Sequence, residues 1–348
     1  LHQEAACSRF CAWAPASGRR SNIRPPPANN PLRAVLRVEQ VEDRLAPAVV
    51  TTGGDGIIPG QVTLRSAIEQ IDKAGGTGAI TFAPNVTTVT LTGSSLTLTT
   101  PKTNITINGA NAVTIQEAAG QAFGLFTAGV GTTLKLQQLD LLRGAAAGGQ
   151  GGGVNAAGAL TIQNCDFSAC SAVSGGAVFF SGSALTVSST TFTGDSASQF
   201  GGGVYITGDG TATIAGSTFT GCTAADGGGL TVANAGPGNN AVVTVSNSTL
   251  QDNSAVDQGA GILISNGTVT LSGNTQVTGN YCTDPVAANQ KGGGINLAAG
   301  TLTLNGVWVG GNTATAGSGM YQVQNGTDVV VGPNGVTWYI NQVTVGPA

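Results

Sequence analysis

The chain predicts an all-β solenoid, a parallel β-helix whose coils stack along one axis, and three observations carry that prediction. The first is a glycine turn that recurs in register: GGGV at 151–154, GGAV at 175–178, GGGV at 201–204, GGGL at 227–230, GAGI at 259–262, GGGI at 292–295 and GSGM at 317–320. The second is an apolar anchor ahead of each turn: Leu141, Phe167, Phe192, Phe219, Leu250, Val277 and Val309, at successive spacings of 26, 25, 27, 31, 27 and 32 residues. A near-constant period of this size marks stacked repeats. The third is alternation of period two, as in Leu160-Thr161-Ile162, Leu185-Thr186-Val187, Val243-Thr244-Val245 and Leu302-Thr303-Leu304. Alternation puts apolar residues on one face and threonines on the other.

The elements follow in chain order. Residues 1–48 are rich in arginine, contain Pro25-Pro26-Pro27 and lack alternation, so they are expected to be a disordered or processed leader. The one helical segment is about 63–73, where Leu64, Ile68 and Ile71 share a face, Thr63 is the N-cap, and Gly75-Gly76 ends the helix. It is expected to cap the open end of the solenoid, which otherwise exposes core side chains and unpaired strand groups. The β-helix domain is expected to span 49–348, with degenerate coils from about 80 and regular ones to about 320. Each coil is expected to hold about three short strands and to add about 4.8 Å of rise. Three residues after each anchor comes a second column: Gly144, Cys170, Asp195, Cys222, Asn253, Asn280 and Asn312. Its three consecutive asparagines are expected to form a side-chain ladder. The glycine column is expected to fill corners too tight for a β-carbon. Long spacings come from insertions at Ala233–Ala241 and Tyr281–Lys291.

These GGA(I/L/V) turns and FxxN anchors resemble the repeats of bacterial polymorphic outer-membrane proteins and related right-handed parallel β-helix surface proteins. The likeness covers roughly residues 134–320, although asparagine enters the FxxN position only from Asn253 onward. The segment from Thr63-Leu64-Arg65 to Ile80-Thr81-Phe82 resembles the opening of bacterial β-helix surface proteins. Leu36-Arg37-Val38-Glu39-Gln40-Val41-Glu42-Asp43-Arg44-Leu45-Ala46-Pro47-Ala48 is similar to an N-terminal motif of planctomycete surface proteins. Ala46-Pro47-Ala48 has the A-x-A form of a signal-peptidase site, but no apolar run of about 7–15 residues precedes it. The resemblance implies a right-handed coil and an extracellular or cell-envelope location. The 28 residues after the last glycine turn are too few for a membrane barrel of about eight strands, leaving a truncated passenger or another anchor as alternatives.

Composition excludes several function classes. Residues 49–348 carry four Lys, two Arg and thirteen acidic residues, a net charge of −7, which is a poor match to nucleic acid. No apolar run of about 18 residues is present to span a membrane as a helix. The single histidine is His2 and no CxxC pair occurs, so neither a metal site nor a cofactor is expected. The cysteines read as buried thiols, with one disulfide as the alternative. Cys170 and Cys222 share a column, but lie two coils apart, about 10 Å, beyond disulfide reach.

Parallel β-helices also host polysaccharide lyases and glycoside hydrolases, so acid–base pairs decide much. The one acid–base column is Asp226 and Lys291, each directly before a glycine turn and two coils apart. These are the catalytic candidates if the chain is an enzyme; solvated turn residues are the simpler reading. Binding candidates sit in the insertions: Asn239, Asn240, Tyr281, Asp284 and Asn289, joined by Asn234 and Gln290. Tyr205, Tyr281, Trp308 and Tyr321 are candidates to stack on sugar rings, with packing as the alternative for the tyrosines; Trp308 alternates with Val307 and Val309 and is expected to face out. The expected role is a noncatalytic secreted or cell-envelope protein, a spacer or adhesin with glycans or envelope polymers as partners. The alternative is a lyase or hydrolase of the parallel β-helix class. Sequence does not fix the oligomeric state.

Overall fold

The computed structural model describes residues 47–233, 241–286, 288–323, 327–331, 336–339 and 343–346. The leader up to residue 46, with His2, Cys7 and Cys11, and the insertion residues Asn234, Asn239 and Asn240 lie outside the described residues.

The chain winds as a parallel solenoid. Among the described residues, strands pair with their counterparts in adjacent coils and in parallel, as in Leu185↔Ala212 and Ala212↔Val243. A coil is built from four short strands rather than three. In one coil these are Ala184–Ser188, Thr191–Thr193, Ser196–Phe200 and Val204–Ile206. The first two belong to one sheet, bent where a single residue turns left-handed, Ser189 in this coil and Asn247 two coils on. Sequence reading merged them because the bend takes one residue and does not interrupt the apolar alternation.

The anchors stack in register and all seven are fully buried. Their phenyl rings stack face on face, with centroids 5.1 Å apart for Phe167–Phe192 and 4.6 Å for Phe192–Phe219. The adjoining polar column is buried too. Asn253 donates Nδ2 to Oδ1 of Asn280, and Asn280 to Oδ1 of Asn312, each at 2.9 Å. That is the expected ladder. A second internal ladder was not anticipated: backbone N–H groups of Thr190, Ser217 and Ser248 each donate to the hydroxyl one coil further on, at Ser217, Ser248 and Thr275.

Glycine is required most strictly at the first position of each turn, where φ lies between 59° and 68° in all seven copies. The middle position is tight in some coils, since a β-carbon on Gly228 would meet the carbonyl oxygens of Ser254 and Ala260. Other coils place Ala260 or Ser318 there, so the expectation for the middle column holds coil by coil rather than throughout.

The helix runs Leu64–Ala74, with Thr63 as N-cap in a capping box with Ser66 and Gly75 as left-handed C-cap. Its buried face, Leu64, Ala67, Ile68 and Ile71, packs on the first coil, with Ile71 lying against Gly78. Two polar clamps fix it. Arg65 forks onto both carboxylate oxygens of Asp55 at 2.8 Å and reaches the carbonyls of Ser94 and Ser95. Asp72 accepts from the N–H groups of Thr99 and Thr100. Burial pushes the Asp72 carboxyl up, but those N–H donors outweigh it and hold it below the usual range.

Candidate functional site

The glycine turn shapes the site. A left-handed first glycine folds the chain inward, so the residue before it and the residue four after it face each other across a re-entrant corner. Phe200 and Tyr205 meet this way, rings stacked at 5.8 Å. Stacked coils extend the corner into a furrow along the solenoid axis. One wall runs Phe200, Asp226, Gln258, Lys291 in register. The other runs Phe179, Tyr205, Thr231, Leu263, Asn296, Tyr321. Phe179 closes an aromatic cluster on Tyr205 at 5.3 Å.

Chemistry changes along the furrow. Beyond the aromatic end, Gln258 takes a hydrogen bond from Asn296 Nδ2 at 2.6 Å and also supports the Asp226 carboxyl. Burial, and then the neighbouring charge of Asp257, push Asp226 up to about 6, against the hydrogen bond from Gln258. Two buried acceptors, Asp226 Oδ1 and Asn296 Oδ1, have no donor. Next to the furrow, burial and a hydrogen bond shared with Asp284 raise the Asp257 carboxyl.

The structure places the sequence candidates as follows. Asp226 and Lys291 do share a column, with Gln258 between them. Two strand spacings separate them by roughly 10 Å, and the Lys291 ammonium turns the other way, 5.5 Å from the Tyr321 ring centroid. They are not in proton-transfer contact in this structure, which needs about 2.6–3.2 Å or one bridging water. Asp284 and Asn289 come together, but on each other: Asp284 Oδ2 accepts from Asn289 Nδ2 at 2.8 Å, and Oδ1 from the N–H of Val286. These bonds lower the Asp284 carboxyl, Asn289 first. Gln290 donates to the Asp284 carbonyl, so the insertion is closed by its own side chains. Tyr281 stays exposed, as does Trp308, whose outward direction matches its alternation. Tyr205 and Tyr321 pack into the furrow walls. Sequence reasoning missed Phe179, Phe200, Asp257, Gln258 and Asn296. The signal available for Phe200 was its place directly before a glycine turn, the criterion that singled out Asp226.

Elsewhere, a surface cleft of 590 Å³ runs along a second corner, floored by Gly158, Gly182 and Gly210, with Asp209 its one charged lining residue. The described cysteines, Cys165, Cys170, Cys222 and Cys282, are buried free thiols. Burial pushes Cys165 and Cys282 up to about 11, so they stay protonated and unreactive at neutral pH. Among the described residues no helix is long and apolar enough to cross a membrane, and no cluster of three or more His, Cys, Asp or Glu side chains is arranged to hold a metal ion.

Residues 149–336 match the family model described as the right-handed β-helix region. No curated protein matches the chain.

Proposed function

The chain belongs to the right-handed β-helix family, and within it we propose a noncatalytic secreted or cell-envelope protein, a rigid spacer or adhesin that binds glycans or envelope polymers along its corner furrow. One observation carries this reading: aromatic rings, amides and a carboxyl follow one another in register along the same corner of the solenoid, while the acid–base column of Asp226 and Lys291 is split by Gln258. Aromatic faces and neutral hydrogen-bonding groups suit a sugar polymer, whose rings present C–H faces and hydroxyls. Catalysis needs more. Asp257 and Asp284 share a hydrogen bond, which sets them too close to flank a glycosidic bond, for which carboxyl groups stand about 5–9.5 Å apart. Location outside the cell rests on the resemblance of the repeats to surface proteins.

The second reading, a polysaccharide lyase or hydrolase, is favoured by one observation. The Asp226 carboxyl, held near 6, titrates in the range useful to a general acid or base. A binding screen against immobilised neutral, acidic and amino polysaccharides tests the adhesin reading. Retention of the protein on at least one polymer, weakened by Tyr205→Ala, supports it; retention on none leaves only the spacer.

A further inference from the structure

We propose that the furrow from Phe200 to Asn296 takes an amine-bearing glycan, one sugar ring lying against the Phe200–Tyr205 cluster with its ammonium at Asp226. This rests on the glycan-binding reading and narrows it to one substrate class.

Three features of the furrow converge on that class. The first is charge. Asp226 stands beside Asp257, which in turn contacts Asp284, and the nearest lysine of the column, Lys291, is directed onto the Tyr321 ring instead. Negative charge is therefore left uncompensated at the middle of the furrow, and an arriving cation relieves the Asp226–Asp257 repulsion.

The second is unmet hydrogen bonding. Asn296 is 1% exposed, its Nδ2 is held on Gln258 in the furrow wall, and its Oδ1 has no donor; neither has Asp226 Oδ1. Buried polar atoms of folded proteins nearly always find partners, so two orphan acceptors in one furrow point to donors brought by a ligand. An ammonium supplies three N–H donors and no acceptor. Asp226 and Asn296 lie two coils apart, about 10 Å, so an ammonium at Asp226 leaves Asn296 for a hydroxyl of the next sugar. The furrow thus asks for an oligomer rather than a single ring.

The third is the aromatic end. Phe200 is paired in register with Asp226, so the aromatic and acidic residues sit on neighbouring strands of one column. Aromatic faces attract cations and pack on the C–H face of a sugar. A bare metal ion would leave these rings without a role, and the carboxylates near Asp226 do not form a three-ligand cluster among the described residues.

The test is isothermal titration of the full chain at pH 7 with three oligosaccharides of equal length: glucosamine, N-acetylglucosamine and glucose oligomers. Glucosamine oligomers should bind at least tenfold more tightly than the other two, and more tightly than glucosamine itself. Asp226→Asn should weaken that binding about tenfold or more, and Tyr205→Ala should weaken all sugar binding, with thermal melts confirming that each variant is folded. Asp209→Asn, in the second corner, should change nothing. Equal binding of charged and neutral oligomers, or indifference to Asp226→Asn, overturns the amine proposal while leaving glycan binding in place. Loss in Asp209→Asn alone moves the sugar to the other cleft and likewise overturns it. Binding of none of the oligomers to a folded chain overturns the amine proposal whatever polymer the screen retains; if that screen also fails, the adhesin reading falls with it.

Discussion

The thiol of Cys222 donates to the carbonyl of Phe192 at 3.6 Å, doing for its coil what the amide of Asn253 does one coil later at Phe219. Cys170 makes the same bond to Leu141, and Asn280 and Asn312 make it to Leu250 and Val277. Five of the seven column residues thus donate to the anchor carbonyl of the preceding coil, Gly144 and Asp195 being the exceptions. Asn also accepts from the backbone N–H above it, as Asn253 Oδ1 does from Cys222. Asp195 keeps the accepting half, taking the N–H of Cys170 at 2.8 Å, but its Oδ2 has no partner.

That asymmetry makes Asp195→Asn a stabilising change. Burial pushes the Asp195 carboxyl up to about 8. An unfolded aspartic acid titrates near 3.9, so between about pH 4 and pH 8 only the folded chain holds the proton. Its contribution is fully present below about pH 4, falls by at most about 1.4 kcal/mol per pH unit, and is exhausted above about pH 8. Asparagine removes this loss and restores the donor. Melting curves should show Asp195→Asn ahead of wild type by a margin that widens from pH 4 to pH 8. A margin that is constant with pH contradicts a buried, protonated Asp195.

Phe192 sits between two stacked rings, so Phe192→Ala should destabilise by about 3–5 kcal/mol. Phe192→Leu, which copies the natural Leu250, should cost under about 1.5 kcal/mol. Urea unfolding of the two variants checks this, and equal losses would mean that the ring itself, not the volume it fills, holds the stack together.

At the glycine turn, Gly228→Val puts branched carbons against the carbonyls of Ser254 and Ala260 and should lower stability by more than about 3 kcal/mol. Gly227→Ala meets a left-handed backbone as well as the Thr231 side chain. It should cost at least about 1–2 kcal/mol. The exposed Thr186→Ala should stay within about 0.5 kcal/mol. Melting temperatures in this order support the corner geometry; an unchanged Gly228→Val does not.

Asp284→Ala should loosen its insertion without unfolding the solenoid, because the carboxylate bonds to Val286 and Asn289 within the insertion and, outside it, to the side chain of Asp257. Hydrogen exchange should quicken at the amides of Val286 and Asn289 while the strand Ile295–Leu297 keeps its protection. Faster exchange across both would show that the insertion supports the coil.

The legible and illegible parts of the molecule divide on a physical line. Anchors such as Phe167 and Phe219 repeat one side-chain requirement at one period, so stacking could be read directly. The helix was legible for the same reason, with a cap at each end. Cys170 and Cys222 obscured the FxxN column because a thiol is a poor emblem of a hydrogen-bond donor, yet it fits the space and reaches the carbonyl. The Thr190–Thr275 ladder was hidden because serine and threonine ordinarily signal surface. The furrow was hidden for a geometric reason: Phe200 and Tyr205 lie five positions apart and meet only because Gly201 turns left-handed. Asp226 and Lys291 were placed in the right column, and the same position before a glycine turn puts Gln258 between them, but no sequence pattern reveals that Tyr321 takes the ammonium. Asp284 and Asn289 were chosen as ligand groups because they are polar and inserted, whereas a short loop lets such groups satisfy each other.

The most direct test of binding without chemistry is to incubate the chain with acidic, neutral and amino polysaccharides, with and without calcium, and to measure bound protein and released product in the same samples. The expected result is retention on polymer with no new reducing ends and no unsaturated uronate. Sustained product release that disappears in Asp226→Asn or Lys291→Ala would contradict it, and would make the furrow an active site.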